Sequence, residues 1–260
     1  MCGSSTTLKG TPLGADSVID VRGLTFAYPA GPTALDAVSF RVAAGESIGL
    51  VGPNGAGKTT LFLCLSGVLT VKPGTVSVAG LDPAILADKR RLPGKVGVIF
   101  QNSDDQLFNA TVLDDVAFGP LNLGLSAGEV RRRVKDALQR LGVDSLEHRP
   151  PHLLSGGEKR RVALAGVLAM EPEVFLLDEP SMYLDPRGRR ELIGLLPNLP
   201  GTHVIASHDL EMILEACARV LLLDQGRLIA DGPAQNLLAD AALMESHGLE
   251  VPHSLRLRTS

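Results

Sequence analysis

Gly52-Pro53-Asn54-Gly55-Ala56-Gly57-Lys58-Thr59-Thr60 follows the apolar run Ser47 to Val51 and leads into Leu61-Phe62-Leu63-Cys64-Leu65. The order satisfies the pattern GxxxxGK followed by Ser or Thr, in the strand, loop and helix setting that gives the pattern its meaning. Glycines let the loop bend until successive backbone N–H groups converge on phosphate oxygens, and the helix behind it adds its positive end. In that reading Lys58 neutralises the β- and γ-phosphates while the Thr59 hydroxyl holds Mg²⁺. The loop alone does not choose among GTPases, kinases, helicases and transport ATPases. A base-reading NKxD sequence, expected of a GTPase, is absent.

Other stretches could complete such a site. Val174-Phe175-Leu176-Leu177 ends in Asp178-Glu179, so an apolar strand delivers two carboxylates to the sheet edge where open α/β sheets bind ligands. Asp178 is placed to share the Mg²⁺ shell, and Glu179 to orient and deprotonate a water attacking the γ-phosphate. His203-Val204-Ile205-Ala206-Ser207 is another short strand, and His208 after it can reach the γ-phosphate or that water. Gln101 ends the run Val96 to Phe100, where its amide oxygen can reach Mg²⁺ or water. Leu154-Ser155-Gly156-Gly157-Glu158 opens a helix with a serine and two glycines, a start that presents Ser155 Oγ and backbone N–H groups to an anion. This anion site has no obvious partner within its own subunit.

The elements that must hold these residues follow from periodicity. Val18 to Val21, Leu24 to Tyr28 and Phe40 to Val42 alternate as half-buried strands of a small antiparallel sheet do. Ser47 to Val51, Val96 to Phe100, Val174 to Leu177 and His203 to Ala206 are short and continuously apolar, the mark of strands buried on both faces. Thr59 to Val68, Ala127 to Leu141, Gly156 to Met170, Arg187 to Leu196 and Leu210 to Ala218 have helical spacing. Together these predict an α/β fold with a mostly parallel sheet and an N-terminal antiparallel β subdomain. Two of the helices and no strand fall between about 103 and 167, which reads as an inserted α-helical subdomain. Residues 1–16 read as a flexible tail, 17–246 as the folded domain, and 247–260 as a frayed C-terminal tail.

Composition limits the partners. The 260 residues are 45% hydrophobic and 21% charged, with a net charge of −4, an ordinary globular balance. Seven Phe, two Tyr and no Trp supply little surface for stacking unpaired bases, and the acidic balance gives no general attraction to phosphate backbones. Nucleic acid is not an expected partner. Cys2, Cys64 and Cys217 lack CxxC spacing, so neither a disulfide framework nor a zinc site is expected. His148, His152, His247 and His253 likewise match no compact metal site. No apolar run approaches the ~20 residues that cross a bilayer.

GPNGAGKTT, Gln101, LSGGE, VFLLDE, the Leu184-Asp185 pair and His208 occur in the order found in ATP-binding cassette (ABC) ATPases, and the resemblance covers the chain from about 17 to 240. It implies the P-loop NTPase core of that architecture. It also implies a head-to-tail dimer with ATP and Mg²⁺ at the interface. Each nucleotide would be held by the loop Gly52 to Thr60 of one subunit and by Ser155, Gly156, Gly157 and Glu158 of the other. Leu184 and Asp185 would carry communication across the dimer. Tyr28 stands where the family places an aromatic that stacks on adenine.

Phe100 to Phe108, then Val116 to Gly124, are similar to the ATPase subunits of energy-coupling factor importers, most closely the cobalt/nickel type. Arg149 to Ser155 and Ala165 to Met170 agree. The implied assembly has a second ATPase subunit (the same chain or a paralogue), a membrane coupling subunit docking near residues 102–120, and a substrate-binding membrane subunit. Its place would be the cytoplasmic face of the membrane. Importers of another micronutrient or vitamin remain an alternative, as does a soluble ABC ATPase acting on a macromolecule. The sequence departs from the group at Ser103 for proline, at Ser207 for threonine, and at Ser181-Met182-Tyr183 for small residues.

Overall fold

Eleven-residue strands with alternating burial open the described residues: β1 (Ser17–Ala27) and β2 (Thr33–Ala43) pair antiparallel. The computed structural model describes residues 17–256; the expected tail over 1–16, with Cys2, lies outside them. β3 (Ser47–Val51) leads through the glycine-rich loop into α1 (Lys58–Leu65). β4 (Val76–Val78) then completes a sheet ordered β2-β1-β4, and α2 (Leu86–Lys89) follows. β5 (Val96–Ile99) enters a second sheet, after which the chain leaves for α3 (Val112–Asn122), α4 (Ala127–Arg140) and α5 (Gly156–Leu168). It returns as β6 (Val174–Asp178), α6 (Pro186–Leu195), β7 (Thr202–Ala206) and α7 (Leu210–Ala216). The hairpin β8 (Arg219–Asp224) and β9 (Arg227–Pro233) precedes α8 (Ala234–Ala239), α9 (Ala241–Ser246) and α10 (His253–Arg256).

The second sheet runs β5-β6-β7-β3-β8-β9. Its strands are parallel except for β9, which pairs antiparallel with β8 at one edge. β6 and β7 are buried at every residue, the apolar stretches Val174 to Leu177 and Val204 to Ala206 together with polar Asp178, Thr202 and His203. Their alternate side chains feed two separate cores. Ile48, Leu50, Leu176 and Val204 pack with α1 and the antiparallel sheet on one face; Val51, Phe175, Leu177 and Ile205 pack with the helices on the other. The phosphate loop therefore leaves the centre of the sheet, with β7 on one side and β8 on the other.

The segment 103–167 contains three helices where the spacing predicts two. α3 is the addition, and it carries Pro120 inside. Gly119-Pro120 looks like a break in sequence, yet the glycine makes room for Met170 against the helix: a Cβ there would lie 2.6 Å from Met170 Sδ in its present position. The helix start is fixed by Thr111, whose side chain accepts from Asp114 N–H at 3.2 Å. Buried Asp115 accepts from the backbone N–H groups of Phe108 and Asn109 at 3.1 and 3.0 Å.

The expectation of a frayed end after Ser246 is corrected for residues 247–256. Leu249, Val251 and Leu255 pack on the helical-face core, and Pro252 is buried. Ser254 donates to Glu211 on α7 from its backbone N–H at 3.0 Å and its hydroxyl at 2.7 Å. Few apolar residues mark this stretch, but each one packs at least partly on the core.

Candidate active site

A cavity of about 760 Å³ opens above the C-terminal edge of the parallel sheet, floored by Gly52 to Thr60. The loop conformation excludes larger residues at Gly52, where an added Cβ would meet the Leu223 carbonyl oxygen at 1.9 Å. Gly57 has φ +106, and a Cβ there would meet the Ala34 carbonyl oxygen at 2.7 Å. We expect Gly52→Ala to lower unfolding free energy by about 1–3 kcal/mol, as measured by urea denaturation. Gly55→Ala, with φ +80 but no atom within 4 Å of its Cβ, should cost less. Equal losses would mean that the contact with Leu223 does not shape the loop.

Lys58 Nζ, buried, donates to the carbonyls of Gly52 at 2.7 Å and Pro53 at 3.1 Å. Burial lowers its pKa, against the opposing pull of Glu179 and Asp178. One helical residue on, Thr59 Oγ1 donates to Asp178 Oδ2 at 2.7 Å, joining the loop to the end of β6. Burial raises the Asp178 carboxyl pKa, with the Thr59 bond acting in the opposite direction. The two oxygens fit a small hard cation: neighbouring ligands of octahedral Mg²⁺, each at ~2.1 Å, stand about 3 Å apart. A cation between them would also relieve the carboxylate's desolvation.

Glu179 follows in the left-handed region, at φ +46. Its N–H donates to the Ala206 carbonyl at 2.8 Å, which holds this uncommon turn against β7. Both carboxylate oxygens have partners. Oε2 accepts from Ser207 Oγ at 3.0 Å and lies 2.8 Å from His208 Nδ1, while Oε1 accepts from His208 N–H at 3.1 Å. Ser207 is wholly buried, and its Oγ also accepts from Asp209 N–H at 3.0 Å. The substitution of serine for threonine at 207 thus keeps the hydroxyl that bonds Glu179.

Gln101 lines the same cavity, and its side-chain amide nitrogen contacts Met182 Sδ. Its backbone is pinned by Arg160 of α5, whose guanidinium donates to the carbonyls of Phe100 at 2.7 Å and Gln101 at 2.6 Å. Burial brings the Arg160 pKa down to about 10. Tyr28, just past β1, stands at the other end, with its hydroxyl 3.3 Å from Thr60 Oγ1 and its ring edge-on to Phe26 at 5.1 Å.

The fold thus brings Tyr28, Gly52 to Thr60, Gln101, Asp178, Glu179 and His208 to one cavity. Ser155, Gly156, Gly157, Glu158, Leu184 and Asp185 do not line it. Ser155 is not without a local partner: it forms a capping box with Glu158, donating from Oγ to Oε2 at 2.7 Å and accepting from Glu158 N–H at 3.3 Å. Asp185 caps α6 by accepting from Gly188 N–H at 2.6 Å. Between these two caps Tyr183 is 76% exposed, at φ +63.

Sequence reasoning did not select Arg160, Ala34, Gly248 or Leu249, and it read Met182 only as a departure. Ala34, Met182, Gly248 and Leu249 all line the cavity. For Arg160 no local signal exists, because the carbonyls it bonds lie on another element.

Residues 35–182 match the ABC transporter family model. A Synechocystis protein provisionally named an ABC transporter ATP-binding protein is 52% identical over 92% of this chain and 82% of its own length. The cobalt import ATP-binding protein CbiO of Rhodobacter capsulatus is 46% identical over 94% of this chain and 88% of its own. Among solved structures, cbiO1 of Clostridium perfringens, described as part of the ABC transporter complex cbiONQ, superposes with a TM-score of 0.80. It is 36% identical and the match covers 94% of this chain and all of that one, 100%.

Proposed function

The chain belongs to the ABC transporter family and is an ATP-hydrolysing enzyme; from that premise we propose that it powers an energy-coupling factor importer of the cobalt/nickel type. The observation that carries the catalytic part is the convergence of Lys58, the Thr59–Asp178 pair and the Glu179–His208 pair on one cavity. In this reading the loop N–H groups and Lys58 bind the β- and γ-phosphates of ATP. Thr59, Asp178 and the Gln101 amide oxygen would hold Mg²⁺, which neutralises phosphate charge when bound. Glu179 accepts a proton from the water whose oxygen attacks the γ-phosphorus, as the bond to the β,γ-bridging oxygen breaks and ADP leaves. His208 positions that carboxylate through Nδ1, leaving Nε2 for the γ-phosphate. Tyr28 stacks on adenine.

Ser155, Gly156, Gly157 and Glu158 do not line this cavity in the folded chain. That placement favours a role on the nucleotide of a second subunit, either an identical chain or a paralogue, with Leu184 and Asp185 between the two sites. Residues 102–120 suit a membrane coupling subunit: Phe108 is 62% and Phe118 46% exposed, packed edge to face at 5.0 Å. Large aromatic groups left at a surface in contact with each other are a feature of docking sites. No helix among the described residues is long and apolar enough to cross a membrane, so partners must form the path. A substrate-binding membrane subunit completes the proposed assembly, with this chain at its cytoplasmic face.

The CbiO relative supports cobalt as cargo, with nickel beside it on the resemblance of residues 100–124. The test is uptake of ⁵⁷Co and ⁶³Ni by cells carrying the membrane partners with or without this chain. We expect accumulation of one or both ions to require the chain. ATPase activity with neither ion entering would move the assignment to an importer of another micronutrient or vitamin.

A further inference from the structure

The cavity has a wall made from the C-terminal end of the domain, and its construction is specific. α9 ends in a Schellman motif: Leu249 N–H donates to the Met244 carbonyl at 2.9 Å and Gly248 N–H to the Glu245 carbonyl at 3.1 Å. Gly248 takes the required left-handed conformation at φ +66, which turns the chain and carries Leu249 to the cavity. Met244 beneath it is fully buried. His247 Nδ1 lies 2.8 Å from Asp224 Oδ2, tying the turn to the end of β8. Downstream, the Ser254–Glu211 hydrogen bonds hold the other end of the segment. The wall is therefore anchored on both sides of Leu249.

Topology says which end of a nucleotide would meet it. β3 lies between β7 and β8. Asp178, Glu179 and His208 reach the cavity from the β6–β7 side, so the terminal phosphate points there. Asp224 ends β8 on the opposite side. The turn after it is bonded both to the loop, by Gly226 N–H to the Ala56 carbonyl at 3.0 Å, and to β2, by Asp36 N–H to the Gly226 carbonyl at 2.8 Å. Ala34 and Tyr28 belong to that same flank and line the cavity.

We infer that Leu249 forms an apolar wall of the base-binding end of the site, presented by the Gly248 turn and the His247–Asp224 tether, so that the C-terminal segment senses the nucleoside and not the phosphates. The inference rests on the nucleotide reading of the cavity. His247 is a positioning residue in it.

Calorimetric titration of the full chain with MgADP and with magnesium pyrophosphate separates the two ends without hydrolysis. Leu249→Ala should weaken ADP about fivefold and leave pyrophosphate unchanged, with Leu249→Met restoring ADP affinity. His247→Ala should shift the ratio of the two affinities in the same direction. Thermal melting of each variant without ligand checks the fold. Unchanged ADP binding in Leu249→Ala, or equal loss of ADP and pyrophosphate, overturns the inference. Lys58→Ala is the control: it should lose both ligands, and retention of both would overturn the nucleotide reading itself.

Discussion

Glu179→Gln should lower steady-state ATP turnover by about 10²-fold or more, as loss of a general base does, while ATP affinity stays within a few-fold of the parent. The carboxamide is isosteric and its oxygen can still accept from Ser207 Oγ and His208 N–H, the groups that surround Oε1 and Oε2. What it lacks is the capacity to take a proton from water. The turn at φ +46 and the bond from Glu179 N–H to Ala206 belong to the backbone, so they survive the change. Phosphate release and equilibrium binding of a labelled ATP analogue measure the two quantities separately. Turnover at the parent's rate would remove Glu179 from the chemistry, and lost binding would assign it to the ground state.

Ser155→Arg should leave ATP binding intact and abolish closure of two subunits over nucleotide. The residue is exposed, is not part of the cavity's lining, and its hydroxyl is half of a capping box. Replacing it removes that cap, at a cost of about 1 kcal/mol to α5. It also fills with a long cation the space where another subunit's phosphate would sit. Gel filtration with ATP in the Glu179→Gln background reads the outcome: a dimer for the parent, a monomer for the double variant. A dimer that persists would mean that Ser155 does not face a neighbouring nucleotide.

These two residues also mark how far sequence could carry the reading. The loop and the two carboxylates were legible because their chemistry is local: a strand, a turn and a helix within a few residues fix where Lys58, Thr59 and Asp178 point. Ser155 was legible as an anion-binding start, and its Glu158 partner three residues on is equally local; that it does not line the cavity of Lys58 is a tertiary fact. Helix α3 escaped because Gly119-Pro120 has the composition of a stop, and the close approach of Met170 to the glycine is visible only in the packed structure. The C-terminal wall escaped for a related reason. His247-Gly248-Leu249 is a helix stop followed by one apolar residue, the usual sequence of a Schellman turn, but its value depends on β8 lying alongside.

Arg160 has a mechanical corollary. One guanidinium bonds two successive carbonyls at the end of β5 from a helix that begins at Gly156. A shift of that helix must therefore carry the Phe100 and Gln101 carbonyls with it or break these two bonds. The linkage rests on two charge-assisted hydrogen bonds from a side chain that is itself 2% exposed.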